Sequence, residues 1–325
     1  MFDRRSPAIY AAACVVAAAA GSLLWMGPGA APPVQVAAIA ASADGRLLVA
    51  GTRDGDTAVW RLDPLRHIAR ITIRGGGLNI LAFSPDGQWL AAAGRALTLW
   101  STADWREARQ FGATDRVYGT ARFSGDGLLL ASVNASERIE IWAVATGRRV
   151  QSICCMALYG DVALSRRGEL LAAGGHWPSL WDTGQPRRIR RLVESRNPTF
   201  GAVALSEDGR VLATGSQDGI ARLWDIESGR VLSSTAPRSS YIETVVFQPH
   251  GTLLAYGVRD GEVWLWDPAQ RTEQRIVRSA QGNVCFSGDG RWLIYGVPGG
   301  LVQLWDVAAG RNGPVLRLAD EFAGR

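Results

Sequence analysis

Lysine is missing from this chain: all 35 of its basic side chains are arginine, set against 30 acids for a formal net charge of +5. Absent lysine beside abundant alanine, glycine and arginine reads as GC-rich coding bias, not as selection for phosphate contacts. A nucleic-acid footprint would gather its cations on one face, whereas these arginines are interspersed with acids. Nucleic acid is therefore not an expected partner. The four cysteines, Cys14, Cys154, Cys155 and Cys285, are too few for a disulfide framework in a chain this long. Cys154 and Cys155 are adjacent, so on a strand they would point to opposite faces. They are read as buried, inert residues, with a bridge from one of them to Cys285 left open. His67, His176 and His250 are far apart, and none has a second ligand at metal-binding spacing.

Catalytic patterns are scarce too. No serine sits in a nucleophile elbow, and no glycine loop precedes a helix as a phosphate cradle. Asp54 and Asp56 lie in an Asp-Gly turn, where a backbone role accounts for them, and too few oxygen donors stand at loop spacing for calcium. The expectation is a protein with no catalytic residues, no cofactor and no metal.

One long apolar run is present. After Arg4 and Arg5, residues 8–26 carry no charge and include Val15, Val16, Leu23, Leu24 and Trp25. As a helix this run would reach about 28 Å, close to the hydrocarbon thickness of a bilayer, and Gly27, Pro28, Pro32 and Pro33 would end it. Positive charge on the N-terminal flank alone predicts a cytoplasmic N-terminus and an exported, periplasmic or extracellular, remainder. Residues 1–33 are thus expected to be an uncleaved membrane anchor. A cleaved signal peptide, giving a secreted protein, is the alternative; the run is longer than usual for one, and prolines crowd the small-residue sites.

The rest of the chain repeats. Trp60, Trp100, Trp142, Trp181, Trp224, Trp266 and Trp305 are spaced by 40, 42, 39, 43, 42 and 39 residues. An aliphatic residue precedes each, and Asp182, Asp225, Asp267 and Asp306 follow the last four. Upstream of each Trp, two short apolar strands flank a turn: SADG at 42–45, SPDG at 84–87, SGDG at 124–127 and 287–290, SEDG at 206–209. The turn degenerates to SRRG at 165–168 and QPHG at 248–251. In the fifth unit, Ala202–Leu205 is an apolar strand, Asp208-Gly209 permits a tight hairpin, and Val211–Ala213 returns. Ala221 and Leu223 then alternate with Arg222 and Trp224, and a fourth strand begins at Val231. Four short strands with tight turns use about 40 residues. A wholly apolar inner strand needs cover on both faces, which stacked blades supply, and seven such units close a ring without open edges.

These motifs are similar to those of the WD-repeat family across residues 34–318, which leaves 319–325 as a tail. The resemblance implies an all-β, seven-bladed propeller of four-stranded antiparallel blades, here preceded by the N-terminal apolar helix. In that family an Asp in the turn before the Trp strand locks the blade through a Ser or Thr, the Trp and a His. Asp54, Asp218 and Asp260 occupy that turn, with Thr52 and Ser216 two residues earlier, but the family's Gly-His dipeptide is missing from every repeat. The blades are thus expected to depend more on apolar packing and hairpin turns. Blade seven is expected to use one contiguous stretch ending in a strand around Pro314–Arg317.

The resemblance also implies a scaffold that presents top-face loops to a protein or peptide; with the missing catalytic patterns and the apolar run at residues 8–26, the expectation is a monomeric, non-enzymatic platform tethered to the membrane. By repeat register those loops hold Arg53, Arg95, Asp115, Tyr118, Trp177, Arg196, Tyr241 and Arg259. Arginines and aromatics of this kind are frequent interface hot spots. For Trp177, which the repeat does not require, burial against Trp181, whose strand parity it shares, is the first reading and display on the top face the second. Arg187, Arg188, Arg190 and Arg191 fall on blade four's outer strand, where charge discourages edge pairing. The alternative function is an exported hydrolase or lyase with a ligand in the central channel. That reading needs convergent acids or histidines on inner strands, and Val34–Ala40, Leu78–Phe83 and Asn283–Phe286 read as small and apolar.

Overall fold

The period near 41 corresponds to one antiparallel sheet per repeat. In the computed structural model, which describes residues 34–112, 117–154, 160–175, 177–185, 187–192 and 199–318, 28 strands form seven four-stranded antiparallel sheets. Within each sheet the strands follow chain order from the inside outward. Blade one runs Val36–Ala41, Leu47–Thr52, Asp56–Leu62 and Leu65–Thr72. Blade seven runs Gln281–Phe286, Trp292–Val297, Leu301–Asp306 and Arg311–Arg317, so it is built from one contiguous stretch as expected. Among the described residues no helix is long and apolar enough to cross a membrane. The proposed membrane segment 8–26 lies outside the described residues.

The inner strands Val36–Ala41, Ile80–Phe83, Tyr118–Phe123, Val162–Leu164, Phe200–Leu205, Ile242–Phe247 and Gln281–Phe286 each pack against the next, and the last returns to the first. Their second-strand neighbours are rich in small residues: Ala50, Ala91, Ala92, Ala131, Ala172, Ala213 and Ala255 are fully buried. Small side chains there let sheets converge near the axis without overpacking.

Hydrophobic burial is distributed among seven clusters, each shared between two neighbouring blades. The seam between blades seven and one joins Ile39, Leu48 and Trp60 to Ile294, Leu304 and Leu316. The next seam joins Val49, Val59 and Ile71 to Leu81, Leu90 and Trp100. The repeating Trp therefore belongs as much to the neighbour as to its own blade. Trp60, Trp100, Trp142, Trp224 and Trp266 are buried, while Trp181 and Trp305 are partly buried. A buried indole removes about 150–250 Å² from water, the largest single contribution a repeat makes to its seam.

Closure adds two specific contacts. Asn283 on the inner strand of blade seven accepts a hydrogen bond from Ile39 N (2.8 Å) and donates one to Ile39 O (2.9 Å), tying it to blade one. Below it, Gly288 lies against the turn of blade one, where a Cβ would fall 2.0 Å from the carbonyl oxygen of Ala43. Backbone on both sides leaves that collision no flexible partner. Gly288→Ala should therefore destabilise the protein by about 3 kcal/mol. Gly209→Ala, where φ is +70° but the surrounding space is open, should cost only about 1 kcal/mol. Urea denaturation of the two variants checks this, and equal losses would mean that the closing seam does not limit stability.

Candidate interaction face

The two rims of the ring differ in how their polar groups are used. On the bottom rim, joining first to second strands, Ser42, Ser84, Ser124, Ser206 and Ser287 each donate a 2.5–2.6 Å hydrogen bond to the Asp two residues on. The same serine oxygens accept a backbone N–H five residues on at 2.9–3.0 Å. Asp44, Asp86, Asp126, Asp208 and Asp289 in turn accept backbone N–H groups at 3.0–3.1 Å. Side chains and main chain thus satisfy one another within the turn. The degenerate blade-four turn keeps the serine half, Leu170 N donating to Ser165 Oγ at 3.0 Å. In blade six, Gln248 Nε2 instead donates to Gly290 O of blade seven at 2.9 Å.

The top rim, made by the second-to-third turns and the links between blades, presents side chains outward. Arg53 and Arg95 are exposed there. Arg259 is exposed as well and reaches Glu243, with Nε 3.5 Å from Oε1. Tyr241 is half-buried, its hydroxyl filling the space beside Gly201. Burial first, then the charge of Glu243, pushes the Tyr241 hydroxyl up to about 12, and burial raises the Glu243 carboxyl against the pull of Arg259. Trp177 is half-buried with the Arg191 guanidinium 5.8 Å from its ring centre. Its expected pairing with Trp181 assumed a strand through both, but that strand begins at Ser179, and Arg188 lies over the Trp181 ring at 5.8 Å. Asp115 and Arg196 lie outside the described residues.

Three expectations need correction. Tyr118 is fully buried: it opens an inner strand and packs with Phe111 and Trp142 in the seam between blades two and three, so it is not displayed on the top face. Cys154 is exposed instead of buried, because it ends an outer strand, and it is unpaired. Cys285 is also unpaired, and burial pushes its thiol up to about 12. The inner strands, finally, are more polar than their composition suggests. Asp161, just before the inner strand of blade four, accepts Thr120 Oγ1 (2.6 Å) and Arg122 Nη2 (2.8 Å) from blade three. Partners 41 and 39 residues apart meet only because the blades are adjacent.

Of the three candidate turns, blade five comes nearest to the expected lock before the Trp strand, in two separate groups and without a histidine. Ser216 Oγ donates to Asp218, Arg222 Nη2 donates to Asp218 Oδ2 at 2.7 Å, and Trp224 Nε1 donates to Thr214 Oγ1 at 2.8 Å. Arg222, from the Trp strand itself, thus supplies Asp218 with a cationic donor. Asp260 accepts instead from Ser239 of the preceding link at 2.8 Å, and Asp54 is exposed at its turn. Elsewhere the hydroxyl-to-Trp half survives: Trp100 to Thr98 (3.0 Å), Trp142 to Ser132 (3.2 Å) and Trp181 to Ser179 (3.1 Å).

The sequence profile described as WD domain, G-beta repeat matches residues 70–101, 191–225 and 229–267. These stretches end at the Trp strands of blades two, five and six. Three stretches of the chain are thus similar to WD repeats, within a propeller of seven four-stranded sheets.

Relatives of this chain include autophagy-related protein 16 of Arabidopsis thaliana, 26% identical over 193 residues, which is 56% of this chain and 36% of that protein. A guanine nucleotide-binding protein subunit beta of Arabidopsis thaliana is 24% identical over 223 residues, 63% of this chain and 56% of that protein. WD repeat-containing protein 1 of Xenopus tropicalis is 25% identical over 193 residues, 56% of this chain and 32% of that protein. The matches span about a third to just over half of the length of these relatives.

The blade-five lock makes a pH-dependent prediction for this propeller. Burial works against the Asp218 charge, but hydrogen bonds from Arg222 and Ser216, with the Arg222 charge, outweigh it and hold the carboxyl below the ordinary range. A depressed carboxyl stabilises the fold above its unfolded-state pKa, and that contribution is lost as pH falls through the folded-state value. Asp218→Asn should cost about 2–3 kcal/mol at pH 7, because it leaves the buried Arg222 uncompensated. The gap to the unmodified protein should narrow as pH drops below the ordinary carboxylate range. Urea titrations of both proteins between pH 7 and pH 3 check this; a constant gap would show that Asp218 acts through packing alone.

Proposed function

We propose that this propeller is a non-enzymatic scaffold that docks a protein partner on its top face while residues 8–26 hold it at a membrane, on the exported side. The observation that carries the reading is the contrast between the rims. Bottom-rim serines and aspartates are occupied within their own turns, whereas top-rim Arg53, Arg95 and Arg259 are exposed and Trp177 is half-exposed, on a ring whose seams leave little room to deform. A rigid base lowers the ordering cost of binding, and arginine with tryptophan is the composition of hot spots. Among the relatives, one is named as a subunit of a guanine nucleotide-binding protein, consistent with a propeller that acts by assembly. Export rests on the one-sided charge around the apolar run.

The test is affinity purification of the C-terminally tagged full chain from detergent-solubilised membranes, with the partner identified by mass spectrometry. The combined variant Arg53→Glu/Trp177→Ala/Arg259→Glu should lose the partner at least tenfold, and Arg166→Ala/Arg167→Ala on the bottom rim should retain it. Loss confined to the bottom-rim variant would overturn the top-face reading. An intact mass that retains residues 1–33 is expected for the anchor, and a chain shortened by about 30 residues would replace it with a cleaved signal.

A further inference from the structure

Three top-rim elements meet between blades one and two. The blade-one turn carries Arg53, the link from blade one to blade two reads Arg74-Gly75-Gly76-Gly77, and the blade-two turn carries Arg95. The link is pressed between the two turns. A Cβ on Gly77 would lie 3.3 Å from Arg95 Cγ, and one on Gly76 would lie 4.0 Å from Arg53 O. Main-chain bonds hold the arrangement: Leu78 N donates to Arg53 O at 3.0 Å, and Tyr118 N donates to Gly94 O at 2.7 Å, fixing the Arg95 turn to blade three. The link glycines take φ of +94°, +64° and +69°, and the close backbone approach falls on the turn glycines, where a Cβ on Gly94 would lie 2.6 Å from Gly77 O and one on Gly55 2.1 Å from Ile73 O.

The result is a basic patch. Arg53, Arg74 and Arg95 are all exposed, and among the described residues none of them is ion-paired or hydrogen-bonded through its guanidinium. Several arginines elsewhere on the molecule are committed: Arg259 to Glu243, Arg238 to Glu273, Arg275 to Glu262, Arg222 to Asp218 and Arg122 to Asp161. The backbone N–H groups of Gly75, Gly76 and Gly77 likewise have no acceptor among the described residues. Uncommitted guanidinium forks beside free amide donors form a surface complementary to carboxylates.

We propose that this patch is the docking point for an acidic peptide segment of the top-face partner, carboxylates pairing with Arg53, Arg74 and Arg95. The proposal deepens the top-face reading and rests on it. A peptide fits better than an anionic membrane or a nucleic-acid backbone, because exposed Asp54 stands beside the patch and would repel a continuous sheet or line of phosphates. A peptide can place its acids individually, and guanidinium forks recognise carboxylates in two-point fashion.

The probe is a fluorescein-labelled heptapeptide of alternating Glu and Gly, titrated by anisotropy against the full chain in neutral detergent, with a Gln-Gly heptapeptide as control. The Glu peptide should bind and the Gln peptide should not, with affinity falling steeply between about 50 and 300 mM salt. Arg53→Ala/Arg74→Ala/Arg95→Ala should weaken binding at least tenfold, whereas Arg166→Ala/Arg167→Ala should leave it unchanged. Both variants alter exposed side chains, and matching thermal melts confirm that folding is intact. Equal binding by both variants, equal binding of both peptides, or no peptide binding beside capture of phosphatidylserine vesicles would each overturn the proposal. Retention of the purified partner by this triple variant, with its loss from the Arg53→Glu/Trp177→Ala/Arg259→Glu set, would reject the acidic dock while leaving the top-face scaffold standing.

Discussion

A blade of this protein has two apolar faces and one open inner edge, and nothing within the blade covers them. Burial of Ala91, Leu99 and Trp100 depends on whatever lies against them, and that neighbour is another blade with the same need. The seam between consecutive blades is therefore the interaction from which the rest of the structure follows. Because apolar burial is non-directional and proportional to area, a row of seams alone would leave two greedy ends. The ring removes the ends by setting Ile294 and Leu304 of blade seven against Ile39 and Trp60 of blade one. Asn283 and Gly288 show how closely the last seam is fitted, one by reciprocal hydrogen bonds and the other by the absence of a side chain.

Once the seams carry stability, the rims are released from it to different degrees. The bottom turns reverse the chain within a few residues close to the axis, and the Ser-x-Asp-Gly solution satisfies their donors locally. The top links span from an outer strand back to the next inner strand, so they are longer and leave side chains without an internal task. Blade five is an instructive exception, since Ser216, Asp218 and Arg222 turn a top-rim turn into an internal brace and withdraw those residues from recognition. Variation in how each top turn is used, on a constant ring beneath, lets one architecture display a face particular to this chain.

The architecture was legible because its determinants are local and periodic. The seven tryptophans, the aliphatic residue before each and the five Ser-x-Asp-Gly turns recur within single repeats, and each maps onto a strand or hairpin where expected. The individual side-chain assignments were harder to read, since they are settled between repeats. Tyr118 sits at a top-rim position by register, yet the seam with Trp142 claims it. Asp54 and Asp218 occupy the same turn, but only blade five has an Arg222 to pair with its Asp. Thr120 and Arg122 meet Asp161 across a blade boundary that no window along the chain displays. Arg74 stands in no repeated pattern; only the passage of its glycines between two turns places it beside Arg53 and Arg95.

That last juxtaposition bears on the meaning of the chain's positive charge. Dispersed along the sequence, the arginines look like a compositional bias, and some of them, such as Arg122, Arg222 and Arg238, meet an acid once folded. A net charge says little about binding when its members are neutralised in pairs; what matters is where the surplus is left exposed. Between blades one and two, Arg53, Arg74 and Arg95 are exposed on neighbouring top-rim segments, with Asp54 the acid beside them. Surplus of this kind is costly to hold together, since like charges repel, and the ring tolerates it only because rigid turns anchored through Leu78 and Gly94 keep the side chains in water. The same rigidity would spare an incoming acidic segment the cost of gathering those charges itself.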